Sequence, residues 1–388
     1  MSDLIEPFHL AVPEDELTDL RERLARVRWP SAETVTDTTQ GPRLANLQAL
    51  VEHWRDAYDW RACEALLNGF GQFRTTIDGL RIHFLHVRSP EPDARPLLMT
   101  HGWPGSVLEF RDVIGPLTDP AAHGGDPRQA FHVVAPSLPG FGFSDQPTET
   151  GWGLSRIADA WIALMDRLGY DSWGAQGGDL GCAVTDMIAR KAPPGFVGMH
   201  LNFAMFPPMP DEIADATPDE QAMLADAKEF WDTLSGYAKV QSTRPQTIGY
   251  SLADSPTGLA AWIYAMFQDT GGTRGDAEGT FTHDVLLDDI TLYWLTNTGA
   301  SSARLYWELA QGGGPRPGIP SDPIGAPAGF TMFPREHVRK SRRWIERRYT
   351  HVVHFNELPV GGHFGALEQP EAFVDEVRAT FAAIGQLG

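Results

Sequence analysis

Cysteine is nearly absent: Cys63 and Cys182 are the only two in 388 residues. Two thiols exclude a disulfide scaffold or a four-thiolate zinc site and suit a reducing compartment. Basic residues are also scarce, 31 against 51 acidic ones, for a net charge of −20. Such a field repels nucleic-acid phosphates and anionic membranes, so neither is an expected partner. No stretch approaches the ~18–20 apolar residues of a membrane span. Residues 1–7 have neither the basic nor the apolar part of a secretory leader. A soluble, cytoplasmic protein is therefore expected. What the chain does have is a globular balance, 42% apolar and 21% charged, which excludes a disordered chain. Its length allows two or three units of ~150 residues, or one α/β core with a large insertion.

Periodicity organises the chain. Acidic Glu14, Asp15 and Glu16 suit a first helical turn, and Leu17, Leu20, Leu24 and Val27 then share one helical face until Pro30. Residues 43–68 also read as helical, with Trp54, Tyr58 and Trp60 as core anchors. From Phe73 strand signals take over, at 80–87, 95–100 and 131–136. A helix follows at 157–168, a strand at 170–176, a helix at 182–191 and a strand at 196–203. This alternation implies a parallel, doubly wound sheet. It breaks between 204 and 314, an aromatic-rich stretch that reads as a helical insertion over the sheet. It resumes with a strand at 325–333, a helix at 336–348, a strand at 351–355 and a helix from Pro370 to about Ile384. The expected division is 1–72, an N-terminal helical extension; 73–203, the first part of the core; 204–314, a helical lid; and 315–388, the second part of the core.

The chemistry concentrates at a few places. Gly177-Gly178-Asp179-Leu180-Gly181, after a strand and before a helix, has the small-flanked form of a strand-to-helix elbow with Asp as the central residue. The alternative is an ordinary glycine-rich turn capped by Asp. A carboxylate nucleophile attacking saturated carbon forms an ester, which water can cleave; a serine would form an inert ether. Epoxides and alkyl halides are thus the expected electrophiles. His363, in Gly361-Gly362-His363-Phe364 after the last strand, is placed to activate that water. Glu336, 27 residues earlier in Phe333-Pro334-Arg335-Glu336, is the expected acid behind it; its other reading is a carboxylate in a helix's first turn, and Asp322 and Glu357 are rivals. His101-Gly102-Trp103-Pro104-Gly105 follows a core strand, where the Trp103 N–H, with that of Leu180, can form an oxyanion hole; a plain tight turn is the competing reading. An alkoxide leaving group needs an acid, and tyrosine, with its pKa near ~10, is protonated at neutral pH. The insertion supplies Tyr237 and Tyr306, though a lid tyrosine more often simply packs.

Taken together, Arg26-Val27-Arg28-Trp29-Pro30, His101-Gly102-Trp103-Pro104-Gly105-Ser106, Pro139-Gly140-Phe141-Gly142-Phe143-Ser144, Ser242-Thr243-Arg244-Pro245-Gln246-Thr247 and Gly361-Gly362-His363-Phe364 resemble the microsomal-type epoxide hydrolases of the α/β-hydrolase superfamily. The resemblance implies an α/β-hydrolase fold with a mostly parallel eight-stranded sheet, a helical lid and an N-terminal helical extension. It implies Asp179 as nucleophile, His363 as base, Glu336 as relay acid, and Tyr237 and Tyr306 as the epoxide-binding pair. Trp103, Leu180, Phe206, Tyr237, Tyr306 and Phe364 are the expected substrate-binding residues. The chain departs from the family at Leu180, where many members carry Trp, and an N-terminal membrane anchor like that of mammalian members is not expected. No metal or organic cofactor is called for. The expected partners are an apolar epoxide and water, and a homodimer is allowed. Two alternatives stay open on the sequence: a haloalkane or haloacid dehalogenase using the same Asp, and a non-catalytic ligand-binding relative.

Overall fold

A computed structural model describes residues 4–311 and 323–386. One sheet organises the molecule. Its strands are β1 (Ile5–Phe8), β2 (Gln72–Ile77), β3 (Leu80–Val87), β4 (Arg95–Thr100), β5 (Phe131–Pro136), β6 (Trp173–Gly177), β7 (Phe196–Leu201), β8 (Ala328–Met332) and β9 (Val352–Glu357). They lie in the order β1-β2-β3-β5-β4-β6-β7-β8-β9. The pairs from β5 across to β9 are parallel, and β1, β2 and β3 form an antiparallel edge. The sheet therefore has nine strands among the described residues, one more than the eight expected. The extra strand is β1, inside a leading segment that read as helical. Proline is tolerated in such a strand only at a sheet edge, and Pro7 lies in this one.

Strand order reverses beside β4, whose sequence neighbour β5 lies on one side and β6 on the other. Loops leaving the carboxyl ends of β4 and β6 diverge there and open a crevice. Helices cover both faces. A Cβ on Gly174 would meet the Phe381 ring of the helix Pro370–Gly385, whereas one on Gly177 would meet Gly181 of the helix Asp179–Lys191. Residues three apart on a strand point to opposite faces, so these two helices sandwich β6.

Between β7 and β8 the chain forms the helices Pro210–Ala214, Pro218–Glu229, Gly236–Thr243, Pro245–Asp254, Pro256–Thr270, His283–Thr296 and Gly299–Gln311. Their starts are written locally. Thr217 and Glu220 form a capping box, and Ser255 and Thr282 accept N–H groups of the turns they begin. The leading helices Glu14–Leu24, Leu44–Asp56 and Trp60–Gly69 bury Leu17, Leu20, Leu24, Leu47, Leu50, Trp54, Trp60 and Leu67. They also tie down the β7–β8 helices. Tyr58 donates to Asp288 at 2.7 Å, His53 meets Asp284 at 2.7 Å, Asn46 reaches the Tyr264 hydroxyl at 3.2 Å, and Arg23 donates to the Asp254 carbonyl at 3.2 Å. No helix among the described residues is long and apolar enough to cross a membrane.

A Cβ at Gly181 would lie 1.9 Å from the Thr100 carbonyl oxygen, a backbone atom that cannot rotate away. Gly181→Ala is expected to destabilise the fold by about 3 kcal/mol or more. A denaturant midpoint equal to that of the unmodified protein would refute this contact.

Candidate active site

β6 ends at Gly177 and the chain turns directly into the helix Asp179–Lys191. Asp179, at the turn, has a φ of 46°, a left-handed conformation that Asn and Asp tolerate better than bulkier residues. Such strain costs about 1–3 kcal/mol and persists only where the surroundings hold it. Glycines let those surroundings close in. A Cβ at Gly177 would come within 2.3 Å of the Gly181 carbonyl oxygen, and one at Gly102 within 2.1 Å of Asp179 Oδ1. The carboxyl is thus held at the crevice beside the loop that follows β4.

That loop supplies a hydrogen bond. The Trp103 N–H donates to Asp179 Oδ1 at 2.9 Å. The loop itself is pinned. Burial pushes the His101 imidazole down to about 4, so it is neutral at pH 7. Its Nε2 accepts the Leu138 N–H at 3.2 Å, which leaves Nδ1–H to donate to the Gly102 carbonyl at 2.9 Å. The Tyr293 hydroxyl donates to the Gly105 carbonyl at 2.9 Å. Leu180 has a buried side chain, and its N–H, in the first helical turn, has no carbonyl partner within the helix.

The imidazole of His363 faces the same carboxyl. Its Nε2 lies 3.4 Å from Asp179 Oδ2, and its Nδ1 lies 2.6 Å from Glu336 Oε2. Glu336 Oε1 accepts the Val338 N–H at 3.0 Å, which fixes the acid. Burial opposes charge on the imidazole, but the Glu336 carboxylate and Asp179 outweigh it and hold His363 well above its ordinary value. Burial would likewise raise Glu336, yet the charge and hydrogen bond of His363 bring it down to about 2. Glu336 does not open a helix; it sits on a loop, and only Arg342–Glu346 of the expected 336–348 helix is helical.

Two phenols join this group. Tyr237, on Gly236–Thr243, stacks on Trp103 with ring centroids 4.9 Å apart. Tyr306, on Gly299–Gln311, meets Trp103 edge-on at 5.9 Å. The two tyrosine rings are 5.9 Å apart, edge to face. Burial raises both phenols, and the Asp179 charge adds to the effect, so both stay protonated.

Asp179, His363, Glu336, Trp103, Leu180, Tyr237 and Tyr306 therefore converge as the sequence suggested. Phe364 borders that group, and Phe206 lies apart from it. Phe364 is buried, edge-on to the His363 imidazole at 5.2 Å and stacked on Phe267 at 4.2 Å. Phe206 lies against the Arg348 guanidinium at 4.1 Å and Lys340 at 5.5 Å. Of the rival acids, Glu357 ends β9 and is exposed, and Asp322 falls outside the described residues. Phe203, which the sequence reading treated only as a strand end, packs edge-on against His363 at 5.7 Å. Its position just past β7, beside the elbow strand, is where sites of open α/β sheets collect, and that was the available signal.

Parallel sheet, elbow and crevice together define an α/β hydrolase, and residues 95–244 match the family described as alpha/beta hydrolase fold. Residues 5–110 match the family described as Epoxide hydrolase N terminus. A protein of Stigmatella aurantiaca that carries an epoxide hydrolase name is 53% identical over 97% of this chain and 84% of its own length. Epoxide hydrolase 1 of Sus scrofa is 33% identical over 98% of this chain and 89% of its own. The structure of Aspergillus niger epoxide hydrolase superposes with a TM-score of 0.87 at 30% identity, covering 98% of this chain and 97% of that one. The chain belongs to the microsomal-type epoxide hydrolase family.

Replacing Glu336 by Gln removes the main charge that favours protonated His363 while burial continues to oppose it. In Glu336→Gln the imidazole pKa, followed by NMR, should fall by at least about one unit. An unchanged titration would refute the electrostatic coupling.

Proposed function

We propose that this epoxide hydrolase converts apolar epoxides to vicinal diols through a covalent ester on Asp179. In the first step Asp179 Oδ2 attacks one ring carbon and the C–O bond opens. The Tyr237 and Tyr306 hydroxyls polarise the epoxide oxygen, and one of them gives it a proton as the bond breaks. Once Asp179 is esterified, the His363 imidazolium returns a proton to the phenolate; now neutral, His363 takes a proton from water, and the resulting hydroxide attacks the ester carbon of Asp179. Negative charge develops on Oδ1, where the Trp103 and Leu180 N–H groups stabilise it. Collapse passes the remaining hydroxyl proton to the leaving oxygen, releases the diol and restores the Asp179 carboxylate beside a protonated imidazole.

The observation that carries this reading is the position of one carboxyl, with Oδ1 bonded to the Trp103 N–H at 2.9 Å and Oδ2 3.4 Å from His363 Nε2. One oxygen faces an oxyanion donor and the other faces the base and the pocket. Electrostatics supports the order of steps. While Asp179 is ionised its charge, 3.4 Å from Nε2, helps keep His363 protonated. Esterification neutralises that carboxylate, so the imidazole pKa falls just when a neutral base is needed. The hydrolytic step should therefore slow as pH falls through the imidazole pKa of the ester form, with ester formation less affected. A dehalogenase would use the same nucleophile but has no need of two neutral phenols, because a halide leaves without a proton. We assign the roof over the site to a lid formed by residues 204–311, the expected end at 314 lying outside the described residues, and its aromatic content favours apolar substrates.

One turnover in heavy-oxygen water should leave unlabelled enzyme oxygen in the diol and place the label on Asp179. Label in the diol alone would refute the covalent route. Tyr237→Phe and Tyr306→Phe should each slow ester formation by about 10²-fold, and the double variant should nearly abolish it. An unaffected double variant would remove the phenols from the reaction.

A further inference from the structure

The base sits on a loop, and the same loop is held by a carboxylate that the reaction scheme does not use. Glu368 ends the short helix Gly365–Glu368. Its Oε2 accepts the Gly362 N–H at 2.8 Å and the Gly272 N–H at 2.9 Å, and its Oε1 accepts the Phe364 N–H at 3.0 Å. The N–H of His363 itself donates to the Thr270 carbonyl at 3.0 Å. Both neighbours of the base thus hang on one side chain, and that side chain also grips the turn leaving the helix Pro256–Thr270. Glycines make the approach possible. A Cβ on Gly272 would lie 2.7 Å from Glu368 Oε2, and one on Gly362 would lie 2.6 Å from the Thr270 carbonyl.

We propose that Glu368 is a positioning residue for the hydrolytic step, a clasp that fixes the His363 loop against the roof of the pocket. This rests on the assignment of His363 as the base. A carboxylate suits the task because it only accepts, with about four lone-pair directions, and here it takes three N–H groups. Glutamine could keep the two bonds to one oxygen, but its NH2 would then face the Phe364 N–H, donor against donor. Burial pushes Glu368 up, and the three N–H groups with His363 act against that rise. Ester formation relies on Asp179, the Trp103 N–H and the two phenols, none of which lies on this loop. The clasp therefore acts on the second step.

Stopped-flow tryptophan fluorescence with an aromatic epoxide resolves the two steps in the unmodified enzyme, Glu368→Gln and His363→Gln. In Glu368→Gln ester formation should stay within about threefold, while hydrolysis slows by about 10-fold to 10²-fold, as for a misplacement of ~1 Å. kcat and KM should fall together as the ester accumulates, and the acid limb of hydrolysis should move to lower pH. Unchanged hydrolysis, or an equal loss in both steps, would overturn the clasp. His363→Gln should stop at the ester. If it turns over normally, the base assignment fails whatever Glu368 does. Should Glu368→Gln not fold, hydrogen exchange on the unmodified enzyme decides: the Gly272, Gly362 and Phe364 amides should exchange as slowly as those of β8, and loop-like exchange would overturn the proposal.

Discussion

Everything at the site depends on one residue held in a conformation it does not prefer. Asp179 keeps a positive φ because backbone closes on it from several directions. Gly177 and Gly181 let β4, β6 and the elbow helix touch through main-chain atoms, and Gly102 lets the Trp103 loop close on the Asp179 side chain. The strain and the glycines are two sides of one constraint. Without the glycines the loops would have to separate, and the turn would relax and carry the carboxyl away from its N–H donor and the imidazole.

A second constraint is electrostatic. Two carboxylates flank one imidazole in a region that burial makes unfavourable for charge. The arrangement is tolerable because the imidazole is protonated and each carboxylate accepts a backbone N–H, from Trp103 and from Val338. In the proposed mechanism the same arrangement changes character once one carboxylate is esterified, so the first step resets the acidity of the group that would serve the second.

Much of this was legible in the chain. The Gly177–Gly181 pentapeptide, the order of Asp179, Glu336 and His363, and the alternation of strand and helix signals follow from local rules that survive folding. What was not legible depends on tertiary partners. β1 is four residues with Pro7 inside it, and an edge strand of that length carries no core-forming pattern; it exists because β2 offers an open side. The region after Glu336 has helical composition, but Glu336 uses Oε1 on the Val338 N–H, and the helix begins only where Ser341 caps it. Phe203 and Phe206 differ by three positions and look alike in sequence. The fold sends the first to the imidazole and the second to the guanidinium of Arg348. Glu368 reads as an ordinary helix-end acid until its three N–H partners are seen.

The leading segment reaches past the sheet to grip the helices above the pocket, through Tyr58 and Asp288, His53 and Asp284, Asn46 and Tyr264, and Arg23 and Asp254. A cover fastened along that flank does not swing as a door, because swinging would break those attachments together.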